Sequence, residues 1–176
     1  MFLSPAVSHN PRMGTSLDQS ATMPNGAELL ALEAGARRRG SGIVREAMAG
    51  RWRLQRIWPR GSSTPSRLAS ALLRWLGARL EIGCDADQLT LCNAVSLGLL
   101  SLQFVGMAEL CGTRPLLRFS FDELRLCWGE RRLWGRSLPP IEARHWPFFA
   151  LIARDASGWL AARGRGGGLA LWQLDS

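Results

Sequence analysis

Residues 159–174 read Trp-Leu-Ala-Ala-Arg-Gly-Arg-Gly-Gly-Gly-Leu-Ala-Leu-Trp-Gln-Leu, two short apolar runs on either side of a turn, Gly164 to Gly168, that holds four glycines and one arginine. Glycine enters backbone conformations that a side chain forbids, so this spacing predicts a hairpin or bulged corner between two strands. After the second run the sequence continues only with Asp175 and Ser176, so that run is expected to pair with a strand far upstream. The candidate is Arg51 to Trp58, and the expected result is closure of a small β-barrel onto Trp52.

Moving outward from the hairpin, the second half of the chain is a series of short alternating runs separated by turn residues. Gln88 to Val95 groups Leu89, Leu91, Asn93 and Val95; Leu99 to Val105 groups Leu100, Leu102 and Phe104; Met107 to Cys111 is a further run. Leu117, Phe119 and Phe121 alternate with Arg118, Ser120 and Asp122, and Leu124, Leu126 and Trp128 with Arg125 and Cys127. Arg79 to Ile82 precedes these, residues 129–140 read as a connection, and Pro147 to Ala153 is apolar on both faces before the turn at residues 155–158. Strands at intervals of roughly ten residues argue for an antiparallel meander closed as a barrel or sandwich. The expected fold is mainly β, a single antiparallel barrel of eight to nine strands.

Helical signals are confined to the first half. Residues 1–26 lack periodicity and read as a disordered tail, so the barrel domain is expected over 27–176, with 27–49 as a helical lead-in. In that lead-in Asn25 is an acceptable cap, Glu28 and Glu33 lie early and Arg37 to Arg39 late, which suits the helix dipole. A second short helical piece is expected at Ile43 to Met48. In the first strand, strict alternation puts Trp52, Leu54, Arg56 and Trp58 on one face, expected to be the inner one. Thr64-Pro65 then reads as a cap followed by a short amphipathic helix with Leu68, Ala71, Leu72, Trp75 and Leu76 at helical spacing. That helix either covers the barrel or touches an anionic membrane through residues 64–77.

Composition limits the alternatives. At 176 residues, 47% hydrophobic and 20% charged, one soluble globular domain with a real core is expected, and no apolar run reaches the roughly 18 residues of a membrane span. The net charge is +8 and all 22 basic residues are arginine, which biases partners toward anionic surfaces. The arginines are scattered, without the basic stripe and interleaved aromatics of a nucleic-acid binder, so nucleic acid ranks low as a partner. Cys84, Cys92, Cys111 and Cys127 are widely spaced and the histidines are His9 and His145, a set that offers no zinc motif. Without an n-region and apolar core at the N-terminus, a cytoplasmic location with free thiols is expected.

No enzymatic constellation emerges either. His145 leaves a nucleophile few partners, Asp122, Glu123 and Glu130 read as a solvated hairpin edge, and the glycine turn lacks the Lys-Ser/Thr of a phosphate loop.

Three features share one pattern. Gly50-Arg51-Trp52 opens the β region, Asn93-Ala94-Val95 follows, and Arg163-Gly164-Arg165-Gly166-Gly167 leads into a final apolar strand. Together they resemble the plastid lipid-associated protein, or fibrillin, family, across roughly Ala27 to Leu174. Gly158-Trp159-Leu160 stands where that family has an acidic approach to the last hairpin, and the segment between lead-in and first strand is short, which fits a divergent cyanobacterial-type member. The resemblance implies a lipocalin-like barrel that binds or chaperones a lipid, prenylquinone or carotenoid, without catalysis and peripheral to the thylakoid membrane. Gly50, Trp52, Arg163 and Gly164 carry over as motif residues. Gly50-Arg51-Trp52 with Gln55-Arg56 also resembles the opening strand of the S-type phycobilin lyases, which would make a bilin the cargo. A basic adaptor for RNA or an anionic membrane is a third reading.

The expected ligand wall is Trp52, Leu54, Trp58, Leu91, Phe104, Phe119, Phe121, Trp128, Phe149, Trp159 and Arg163. For the eight apolar residues from Leu54 to Phe149 in this set, plain core is the simpler role. If Trp159 points inward then so does Arg163, which needs compensation there; the indole of Trp52 is the expected cation-π partner, and a ligand headgroup the functional alternative. The opposite register puts Arg163 in solvent. No cofactor is expected beyond a bound lipid, quinone, carotenoid or bilin, and the sequence leaves the oligomeric state open.

Overall fold

Among the described residues, nine antiparallel strands form one sheet: β1 (Gly50–Trp58), β2 (Arg79–Asp85), β3 (Gln88–Leu97), β4 (Leu100–Cys111), β5 (Leu116–Trp128), β6 (Arg131–Ser137), β7 (Phe148–Arg154), β8 (Trp159–Gly164) and β9 (Leu169–Leu174). The order β4-β3-β2-β1-β9-β8-β7-β5-β6, with β4 also paired to β5, closes eight strands into a barrel and leaves β6 outside the ring on the far half of β5. The computed structural model describes residues 23–85, 88–113 and 115–175. The tail reading for residues 1–22 lies outside the described residues, whereas Met23 packs on a core cluster and Asn25 caps a helix, so the ordered chain begins before residue 27.

Closure onto the first strand occurs as the terminal hairpin predicts. Trp52 lies opposite Leu174 and Trp58 opposite Leu169. The glycine turn is a tight corner in which the Gly164 N–H donates to Gly168 O at 2.9 Å and the Gly167 N–H to Gly164 O at 2.8 Å. Gly167 has φ 86°, a conformation that favours glycine.

Bulges correct the strict alternation read from sequence. In β1 the register slips at Gln55, so Leu54 faces Trp172 inside whereas Arg56 and Trp58 face Leu171 and Leu169 on the outer wall. Ile57 takes the inward place. In β5 the slip opposite Val105/Gly106 leaves Asp122 unpaired. It joins the Leu117-Phe119-Phe121 and Leu124-Leu126-Trp128 alternations into one strand with one inner face, where two strands were expected. A bulge adds one residue without breaking pairing, and every later side chain changes face. The runs Leu99 to Val105 and Met107 to Cys111 likewise merge into β4. β6 is a strand where a connection was expected; its side chains are exposed or half-buried and show no alternation.

The helices take the two sides of the wall that sequence left undecided. α1 (Gly26–Arg39) is closed by a capping box of Asn25 and Glu28 and lies outside the barrel, burying Leu29, Glu33 and Ala36 against Trp58, Ile152, Ala161, Leu169 and Leu171. The second helical piece is reduced to a 3-10 turn, Glu46–Met48, with Met48 buried in the main core. α2 (Arg67–Trp75) is capped by Ser66, not by Thr64. It covers the stretch of β1 that β2 does not reach: the Ser66 N–H donates to Ile57 O at 2.8 Å, the Ile57 N–H to Ser70 Oγ at 3.0 Å, and Arg74 to Gln55 O at 2.8 Å. Ser70 is buried, so its replacement by alanine strands the Ile57 N–H. Urea denaturation of Ser70→Ala is expected to show a loss of about 1 to 2 kcal/mol, against no loss if water reaches the amide.

Candidate functional site

The inner face of the barrel carries an aromatic ladder. Ring centroids are 5.5 Å apart for Trp172 and Phe149, 5.2 Å for Phe149 and Phe119, 5.3 Å for Phe119 and Phe121, and 5.5 Å for Phe121 and Phe104. Tilted and edge-on pairs at this spacing attract beyond the area they bury. The ladder starts among buried rings and ends at half-buried Phe121 and Phe104, where β4 and β5 leave the closed ring.

Past Phe104 the same face runs on outside the ring. The register aligns Val95, Leu102, Leu126 and Trp134 in one cross-strand row, and Leu97, Leu100, Trp128 and Arg131 in the next. Asn93, Phe104, Leu124 and Arg136 form the row nearer the barrel. Leu97, Leu100, Trp128 and Trp134 are exposed, Trp128 at 54%. α2 adjoins this region through its last turn, where Leu76 O accepts from the Ser96 N–H. On the side of α2 opposite Ser70, Leu68 is 84% exposed and Trp75 67%, with Leu72 between them. The amphipathic helix therefore buries its hydroxyl and turns its apolar stripe outward. Exposed large apolar residues thus lie both on these outer rows and on the outward side of α2.

The opposite face of the same strands is polar and charge-paired. Arg79 meets Glu81 at 2.8 Å, and Arg125 and Arg132 both meet Glu123 at 2.6 Å. Hydrogen bonding to Arg125 holds the Glu123 carboxyl below its ordinary range. Among the described residues Arg131 and Arg136, on the apolar side, have no ion pair.

The expected ligand-wall residues divide into three groups. Trp52, Leu54, Leu91, Phe104, Phe119, Phe121 and Phe149 do face inward, but the first three and Phe119 are buried in a core that also holds Leu80, Leu117, Leu160 and Trp172. These side chains pack together as one core cluster inside the closed part of the barrel. Trp128 stands at the exposed tip. Trp58, Trp159 and Arg163 are on the outer wall under α1 because of the register described above, not inside.

Arg163 is neither stacked on Trp52 nor in solvent. Its guanidinium forks onto Glu33 of α1, Nε to Oε1 at 2.7 Å and Nη2 to Oε2 at 2.6 Å, and also donates to Gly167 O. Arg37 adds a third contact at 2.8 Å. The hydrogen bond from Arg163, opposed by burial, lowers the Glu33 pKa from 4.5 to about 2, and the pairing raises that of Arg163. The cation over Trp52 is instead Arg154, 5.8 Å from the ring, while the indole N–H donates to Met48 O at 2.8 Å. Glu33 was missed in the sequence; its signal was a position on the helical stripe of Leu29 and Ala36. Trp134 and Arg136 were missed because β6 was.

Compared with protein-family models, with curated proteins and with solved structures, the chain finds no match.

Proposed function

We propose that the protein binds a small hydrophobic molecule at the open end of its barrel and does so while resting on an anionic membrane, without chemically converting the cargo. The observation that carries this reading is the continuity of the inner aromatic ladder with the uncovered rows ending at Trp134 and Trp128. An apolar molecule laid along those rows touches Leu102, Leu126 and Phe104 while Arg131 and Arg136 are placed for an acidic or polar head. The resemblance to the fibrillin family supports a lipid, prenylquinone or carotenoid as the cargo. Among the described residues no helix is long and apolar enough to cross a membrane. In this reading the outward apolar stripe of α2 makes the contact. Organic extraction of the protein purified from its native cells tests the cargo: one pigment, quinone or lipid per chain supports the reading, and an empty protein overturns it.

The membrane contact has its own expected result. Leu72→Asp with Trp75→Ala changes only exposed positions, so folding is retained. Burial of these side chains in a headgroup layer is worth about 1.5 to 3 kcal/mol each. Co-sedimentation with phosphatidylglycerol vesicles should therefore fall on the order of tenfold or more. Undiminished sedimentation removes α2 from the contact.

A second reading, transient bilin handling in the manner of the S-type lyases, draws on Arg131 and Arg136, which present two cations to one apolar face as two propionates require. Covalent transfer of phycocyanobilin to an apo-phycobiliprotein by the protein would favour it over passive carriage.

A further inference from the structure

We infer that the groove between α1 and the outer wall of β7 and β8 is a second ligand site, built for a long-chain carboxylate. It measures about 710 Å³, within the roughly 300 to 1,000 Å³ of small-molecule sites, and is bounded by Ala31, Leu32 and Ala36 on the helix and Ile152, Ala153 and Trp159 on the barrel. It exists because the helix positions over it are small: Ala31 and Gly35 do not reach the wall that Leu29 and the Glu33–Arg163 pair hold on the adjoining helix face.

The groove has one polar end. Gly40, with φ 81°, ends α1 and turns the chain so that Arg39 and Ser41 both border the space. A side chain at residue 40 would also overlap the Thr113 carbonyl, so this corner is fixed. Arg39 makes no hydrogen bond or ion pair among the described residues and folds back toward Gly35. Ser41 borders the space as well, but its Oγ is buried out of a ligand's reach, so the arginine is the group that recognises a head. The planar fork and single charge of one guanidinium match the two oxygens and single charge of a carboxylate. The other end bears Glu28, whose carboxylate accepts from the Asn25 N–H at 2.7 Å and repels an acidic head. The head therefore sits at Arg39 and the alkyl or isoprenoid chain runs along Ala31 and Trp159 toward Pro24. This site is on the outer wall, distinct from the open end, and does not rest on the reading given above.

The probe is cis-parinaric acid, followed by its fluorescence, with its methyl ester as the uncharged control. Saturable binding of the acid is expected, with the ester weaker on the order of tenfold. Arg39→Ala, an exposed change, should weaken the acid by a similar factor. Gly35→Leu should abolish the preference for the acid; an added Cβ there meets only the Arg39 side chain, at 3.2 Å, so the new side chain enters the groove without disturbing the core. Trp128→Ala removes binding at the open end and should leave that preference unchanged. A wild-type preference in both Gly35→Leu and Arg39→Ala, equal binding of acid and ester, loss of the preference on Trp128→Ala, or no saturable binding at all would each overturn the proposal.

Discussion

Arg163→Ala is expected to lower folding stability at pH 7 by about 3 to 5 kcal/mol, the usual consequence of removing one partner from a buried ion pair, and to lower the Tm by roughly 10 °C. Glu33 is only 3% exposed, and the carboxylate that remains keeps Arg37 but loses the forked partner that held both its oxygens. The acid limb gives the same interaction independently. Glu33 has a folded pKa of about 2 against an ordinary 4.5. A depressed carboxyl pKa contributes stability that is fully present above the unfolded value and is lost as pH falls through the folded one. The contribution, about 3 kcal/mol from the size of the shift, therefore disappears between pH 4.5 and about 2. Urea titrations at stepped pH should show the gap between wild type and Arg163→Ala closing across that window. The double variant Glu33→Leu, Arg163→Met leaves no buried charge and should regain at least half of the loss. If it is as unstable as Arg163→Ala alone, the pair is not what couples α1 to the barrel.

Gly106→Val should be the most damaging single change within the sheet, at about 3 kcal/mol or more. Gly106 is buried on the inner face opposite Phe121, at the bulge where Asp122 is extra. A Cβ at residue 106 would overlap the Ser120 carbonyl oxygen and lie 2.8 Å from the Phe121 Cα. Both obstacles are backbone, so β4 and β5 have to separate, which also breaks the aromatic ladder between Phe121 and Phe104. The near-ultraviolet circular dichroism should lose intensity together with the cooperative melt. Unchanged spectra and stability would mean that the two strands have room to move apart.

The strand inventory was largely legible because apolar alternation survives in every strand that has one buried face. The terminal hairpin and the inward Phe104, Phe119 and Phe121 follow from period-two spacing, and closure onto Trp52 from the last run's need for an upstream partner; Phe149 lies in a run that is apolar on both faces, where alternation does not choose a side. What was not legible has physical causes. The Gln55 bulge leaves no trace in composition, yet it moves Trp58 from the cavity wall to the underside of α1. Arg163 and Glu33 are 130 residues apart, and no local pattern pairs them. β6 has neither alternation nor a buried face, and Arg131, Arg132 and Gly135 read as a connection. The candidate site was half legible: its aromatic floor was named, while its outer rows depended on a strand with no sequence signature.

The seam between β5 and β7 sets where chains of this protein would associate strand to strand. A closed cylinder offers no template on which a foreign strand can add, but here closure rests on a short seam: Leu116 with Ala150, Leu117 with Phe149 and Arg118 with Phe148, flanked by hydrogen bonds from the Phe119 N–H to Pro147 O and the Leu151 N–H to Pro115 O. If those part, the barrel unrolls into a sheet with two long unpaired borders, and strand addition by a neighbouring chain becomes possible. β6 is the border already open, and it carries Arg131, Arg132 and Arg136 with an irregular register at Leu133, features that discourage such addition. The β5–β7 border carries Leu116, Leu117, Phe148 and Phe149 and has no such guard. Self-association on mild heating should therefore begin at the seam and not at the arginine-rich rim.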